Sequence, residues 1–166
     1  MSERTELLQR LDAVEARLAA RATRTVPAGT RTAPDPGSGE RWEAGQVWAH
    51  LAEFIPYWIE QARRVAGGYV DEPVPFGRTK SDQGRLAAIE RDRDQPVAVL
   101  WSDTHADLET LRRFIEGMDE RSLSARGVHP TRGVMPVDRI LDEFLVGHLE
   151  EHADQLDELA RNATSD

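Results

Sequence analysis

The sequence predicts an all-α four-helix bundle. Three observations carry this: four stretches repeat their apolar residues at helical spacing, no stretch alternates apolar and polar residues as a strand does, and the joins are rich in proline and glycine. The 166 residues are 39% hydrophobic and 31% charged, which suits a single domain, residues 1–166, with a sizeable core.

In the first helix Leu7, Leu11, Val14 and Leu18 form one stripe, with Ser2 or Thr5 as cap and an end near Ala22. Residues 23–40, TRTVPAGTRTAPDPGSGE, are too rich in Pro, Gly, Thr and Ser to stay helical and form a long surface connection. The second helix runs from about Glu43 to Ala66, with Val47, Leu51, Phe54, Trp58, Ala62 and Val65 on one face and Gly67-Gly68 as its stop. Pro56 lies inside it, and a kink near Ala52 is expected because proline removes one backbone bond and crowds the preceding turn.

Residues 69–94 form a second long connection, within which Gly84 to Asp92 has room for one short helix. The third long helix spans about Gln95 to Gly117, with Pro96 in its first turn and Val97, Leu100, Trp101, Leu108, Leu111 and Ile115 facing inward. After a loop, MDERSLSARGVHPTRG, the fourth runs from about Pro136 to Arg161.

Composition narrows the function. There is no cysteine, which removes disulfides, thiolate ligands and a cysteine nucleophile, so any thiol chemistry needs an external thiol. A net charge of −9 repels nucleic acid. No apolar run is long enough to span a membrane and the first residues lack a signal-peptide core, so a cytoplasmic protein without nucleic-acid or membrane partners is expected.

The chemistry lies in histidines. On the fourth helix Leu141, Leu145, His148, His152 and Leu159 fall within about 60° of one another at about 100° per residue, so two imidazoles occupy the core stripe one turn apart. Such a pair can turn toward one point, as in helical zinc sites. On the second helix His50 borders the inward face, about 60° from Val47 and about 40° from Phe54, and can meet them across the bundle. Burying these rings is costly without compensation, and a divalent metal on His50, His148 and His152 would supply it. Imidazole suits zinc, nickel, copper and iron; zinc or nickel is expected. The competing reading pairs the rings with backbone or carboxylates, with no ion.

Three protein ligands leave coordination positions open, the pattern of a catalytic site acting on a small molecule. Gln155 can orient a ligand from behind, while Glu53 and Glu151 can pair with the imidazoles or act as general base. Arg78 in PFGRTK is a candidate substrate anion contact. His105, in polar surroundings, and His129, in a proline-containing loop, are left outside the site.

RWEAGQVWAHLAE together with HPTRGVMPVDRILDEFLVGHLEEHADQLDEL resembles the DinB-like superfamily of bacterial four-helix proteins, with Trp42, His50, His148, His152 and Gln155 at the positions of its motif. The resemblance implies an up-down-down-up bundle with long connections, a metal on the three histidines and homodimerisation through helix faces. It also implies an enzyme that transfers a low-molecular-weight thiol such as mycothiol or bacillithiol to an electrophile. The alternatives are a metal-dependent hydrolase and a non-catalytic metal- or ligand-binding stress-response bundle.

Overall fold

The computed structural model describes residues 2–164. Its long helices are α1 (Glu3–Ala22), α2 (Ala44–Ala66), α4 (Val97–Glu116) and the run from Val137 to Asn162, with the short helices α3 (Gln83–Asp92) and α5 (Glu120–Ser124) between them. The last run begins as α6 (Val137–Ile140), widens into a π-helical turn over Leu141–Val146 and continues as α7 (Gly147–Asn162).

Local chemistry sets the helix starts. The Ser2 hydroxyl accepts from the Thr5 backbone N–H to begin α1, while Glu43 and Gln46 close a reciprocal capping box at the head of α2. Pro96 and Pro136 are the caps of α4 and α6 and stand one residue before the first turn. Proline 56 is carried inside α2, which continues unbroken to Ala66. The residues expected to face inward do so: Leu7, Leu11, Val14, Leu18, Leu51, Phe54, Leu108, Leu111, Ile115 and Leu145 are all buried. Each such side chain contributes about 1.5–3 kcal/mol through burial.

Pairs of residues between helices give the helix directions. Arg10 bonds Glu150 and Asp142, and Arg17 and Arg21 reach Asp157, so α1 and the last helix ascend together. Arg4 donates to the Met118 carbonyl while Arg112 pairs with Asp12 and Glu15, so α1 and α4 run opposite ways. Trp48 meets Trp101 and Arg63 lies over Phe114, which makes α2 parallel to α4. His50 faces His148 while Trp58 stacks on Phe144, so α2 and the last helix are antiparallel. The bundle is therefore up-down-down-up, and the long connection from α2 to α4 follows because parallel neighbours in sequence require a crossover.

Strand structure appears where only a loop was expected. Among the described residues, β2 (Arg126–His129) and β3 (Gly133–Pro136) pair antiparallel, and β1 (Val74–Pro75) adds in parallel to β2. Three residues, Pro130 to Arg132, join β2 to β3 and are followed by Gly133 at φ 76°, the left-handed conformation that closes a three-residue hairpin. Strands this short carry no readable alternation, so the sequence pattern concealed them.

Candidate metal centre

The three histidines predicted to converge do so. His50, two turns into α2, places its Nε2 3.2 Å from the Nε2 of His148, and the Nε2 of His152 lies 3.1 Å from that same atom. Phe54 lies against all three rings, with centroids 5.0, 4.7 and 5.7 Å from those of His50, His148 and His152. On the other side Trp42 stacks parallel to His152 at 6.1 Å and meets His50 edge-on at 5.4 Å. Trp42 is held there because the first long connection folds back on it: the Thr32 N–H donates to the Trp42 carbonyl at 2.9 Å, and the Trp42 N–H to the Thr32 hydroxyl at 3.0 Å.

Each imidazole is oriented by a residue three positions further along its own helix. The Nδ1 of His50 is 3.1 Å from Glu53 Oε2, that of His148 is 3.1 Å from Glu151 Oε2, and that of His152 is 2.7 Å from Gln155 Oε1. These oxygens can only accept, so each Nδ1 carries the proton and each Nε2 turns a lone pair inward. Three facing lone pairs have no hydrogen to share. Burial first, and the neighbouring imidazoles next, hold His50 and His152 well below the ordinary histidine range, so neither relieves the crowding by protonation at neutral pH.

A divalent cation fits this donor set. Imidazole nitrogens about 2.0–2.1 Å from a common zinc ion stand about 2.9–3.4 Å apart between octahedral and tetrahedral angles, which brackets both spacings to His148. His50 and His152 are buried, whereas the side chain of His148 is 28% exposed and leaves one flank of the group open.

Glu53 also receives the Arg78 guanidinium, and Asp82 lies 3.6 Å from Arg78 on the other side. Burial pushes the Glu53 carboxyl up, opposed by its bond from Arg78. The exposed Glu151 is held below the usual carboxylate range by the His148 contact. Arg78, expected as an anion contact, therefore already holds two carboxylates and lies 3.8 Å over the Tyr57 ring, although it still lines the cavity.

That cavity, of about 320 Å³, opens over the imidazoles and is lined by Trp42, Trp58, Phe144, Arg85 and Arg132 among others. The π turn of Leu141–Val146 sits immediately before His148 and carries Phe144 against Trp58, 4.3 Å between centroids. Single π turns are common beside functional sites; a uniform 100° wheel does not reveal one.

His129 is a buried residue the sequence reading set aside. Its Nδ1 accepts from the Thr131 and Arg132 N–H groups, each at 3.3 Å, so its Nε2 carries the proton and donates to the Arg78 carbonyl at 3.2 Å. It ties the hairpin to the wall of the cavity and is not one of the converging imidazoles. At Gly77, φ 84°, a Cβ would stand 2.3 Å from the His129 ring, so this approach requires glycine. His105 lies with Glu15 and Glu109 on the bundle surface. There Arg112 already pairs with Glu15 and stands 3.9 Å from Glu109, leaving little charge for a cation.

No protein-family profile matches the sequence, and no curated protein matches it. Solved structures do resemble the fold. YfiT from Bacillus subtilis, described as a probable metal-dependent hydrolase with an unusual four-helix bundle topology, superposes with a TM-score of 0.76 at 15% identity, covering 97% of this chain and 89% of that one. An uncharacterised protein from Escherichia coli UTI89 gives a TM-score of 0.68 at 14% identity, with 97% and 94% covered. At such identities the likeness is one of fold.

Proposed function

For a chain with the DinB-like four-helix fold, we propose a metal-dependent enzyme in which His50, His148 and His152 hold a divalent ion and a small molecule reacts in the cavity above it. One observation carries the reading: the Nε2 lone pair of His148 meets those of His50 and His152 within hydrogen-bonding distance with no hydrogen between them, each ring fixed by an acceptor behind it. The reaction we favour joins a low-molecular-weight thiol such as mycothiol to an electrophile.

An ion bound there supplies Lewis-acid chemistry, polarising a ligand and acidifying a bound thiol or water. The chain does the rest. Glu53, Glu151 and Gln155 fix the tautomers, so the imidazoles present ligand nitrogens without rearrangement. Phe54 and Trp42 exclude water from two sides and strengthen the electrostatics inside. Glu151 lines the cavity on the exposed flank beside His148, and in this reading its carboxylate would take the proton of an incoming nucleophile through the oxygen not engaged by His148. Since the chain has no cysteine, the thiol must arrive as a co-substrate.

Hydrolysis is the second reading, favoured by the description of YfiT as a probable metal-dependent hydrolase. The same residues serve it, with water in place of the thiol. Plasma mass spectrometry of untagged protein and of its His50→Ala, His148→Ala and His152→Ala variants tests what both share. Near-stoichiometric zinc or nickel lost in each variant is expected. No metal, even after incubation with either ion, overturns the proposal. Turnover of activated esters or amides without any thiol would then favour hydrolysis, and turnover of electrophiles only with mycothiol or a related thiol would favour transfer.

A further inference from the structure

The cations around the cavity are not equivalent. Arg78 is held by Glu53 and Asp82, and Lys80 reaches Asp35 at 3.4 Å. Arg85, from the first turn of α3, has no ion pair among the described residues. Its Nη1 donates to the Lys80 backbone carbonyl at 2.9 Å, and its guanidinium stands 5.5 Å over the Trp42 ring. Glu53, Glu40 and Asp82 are the carboxylates whose fields reach it, opposed by Arg78, and burial outweighs them, holding the guanidinium below its ordinary range. A half-buried arginine on an indole face with unused donors is a binding group waiting for an anion.

Its position relates it to the histidines. Trp42 links them: its ring is parallel to that of His152 and Arg85 stands over it, and all three line one cavity. Trp58 and Phe144 add an aromatic wall to the same space.

From this geometry we infer an oxyanion subsite at Arg85: the cavity takes a small molecule with an apolar body and a terminal carboxylate or phosphate, gripped by Arg85 against Trp42, with its reacting end toward the three imidazoles. The placement of the reacting end rests on the metal reading above; the anion grip does not. Arg85, and not Arg78, is then the specificity residue, because no carboxylate among the described residues pairs with it and, unlike the exposed Arg132, it is half-buried against Trp42. The body packs on Trp58 and Phe144, and a neutral analogue keeps only that contact.

The test is calorimetric titration of the full chain, with and without zinc, using benzoate, phenyl phosphate and the neutral benzamide as probes. The zinc-free arm excludes direct ligation of the probe by the ion. In that arm benzoate or phenyl phosphate binds about tenfold or more tightly than benzamide, and Arg85→Gln removes this preference while Arg85→Lys keeps part of it. Whichever anion binds more tightly separates carboxylic acids from phosphate monoesters. Arg132→Gln, at the exposed rim of the cavity, leaves the preference in place. The inference is overturned if neither anion binds, if benzamide binds as well as they do, or if Arg85→Gln, shown to melt like the parent and to carry the same zinc, binds them unchanged. Absence of zinc in every preparation sinks the metal reading and leaves the anion result standing, so the two failures are distinguishable.

Discussion

The Nε2 atoms of His50 and His148, 98 positions apart in the chain, lie 3.2 Å from each other across the bundle. Neither can donate to the other while its Nδ1 proton is engaged by a glutamate. That contact is unfavourable without a cation and favourable with one, which makes ion binding a stability measurement as well as a functional one.

Zinc at about 100 times its dissociation constant should add about 2.7 kcal/mol to the stability of the folded chain. For a domain of this size that raises the melting temperature by about 5–10 °C. Scanning fluorimetry with and without zinc reads it. His50→Ala and His152→Ala should show little or no rise; an equal rise in these variants would place the ion elsewhere.

Gln155 holds the Nδ1 of His152 at 2.7 Å and touches no other imidazole nitrogen of the group. Gln155→Leu leaves all three ligands in place but frees one ring, so zinc affinity should fall by about 10–100-fold without being abolished. Competition against a zinc-sensitive chelator dye measures this. Unchanged affinity would make Gln155 a bystander.

Asp107 gives a stability change with pH away from the histidines. Burial, then repulsion from Asp103, pushes its carboxyl up to about 6. A carboxyl with a raised folded-state pKa costs stability once it must ionise, so the penalty grows as pH rises from about 4 through 6 and is complete above that. Asp107→Asn should therefore melt higher than the parent at pH 7.5, with the difference closing near pH 4. A difference independent of pH between these values would refute the assignment.

Thr104 is fully buried on α4, and its hydroxyl has no hydrogen-bond partner among the described residues. Thr104→Val keeps the shape and removes the unsatisfied group, which should stabilise the chain by about 1 kcal/mol, or about 2–4 °C in melting temperature. Thermal denaturation followed by circular dichroism decides it, and a lower melting temperature would mean the hydroxyl is satisfied in solution.

The helices were legible because their signal is local. Leu7, Leu11, Val14 and Leu18 state a buried stripe by spacing alone, and proline or glycine marks half of the long helices' ends. His148 and His152 were legible as a pair for the same reason, since positions four apart on a helix must share a face. The hairpin of β2 and β3 was missed because four-residue strands leave no period to read, and the π turn before His148 because a helical wheel assumes constant rotation.

Arginines show where such reasoning stops. Arg78 in PFGRTK has the sequence character of an anion contact, yet Glu53, 25 positions earlier, stands against it and takes its charge. Arg85 lies in a polar stretch with no motif to mark it, and it is half-buried over Trp42 without a carboxylate partner among the described residues.

By itself the sequence determined the residue types that could hold an ion, the absence of any internal thiol and the amphipathic faces that require a bundle, because composition and periodicity are properties of neighbours along the chain. Only the tertiary structure decided that His50 meets the other two imidazoles, that an acceptor stands behind each ring and that Arg85 rests over Trp42 with no carboxylate paired to it among the described residues. Those are relations between separate elements, and the crossing of helices that brings them within reach sets which group neutralises which.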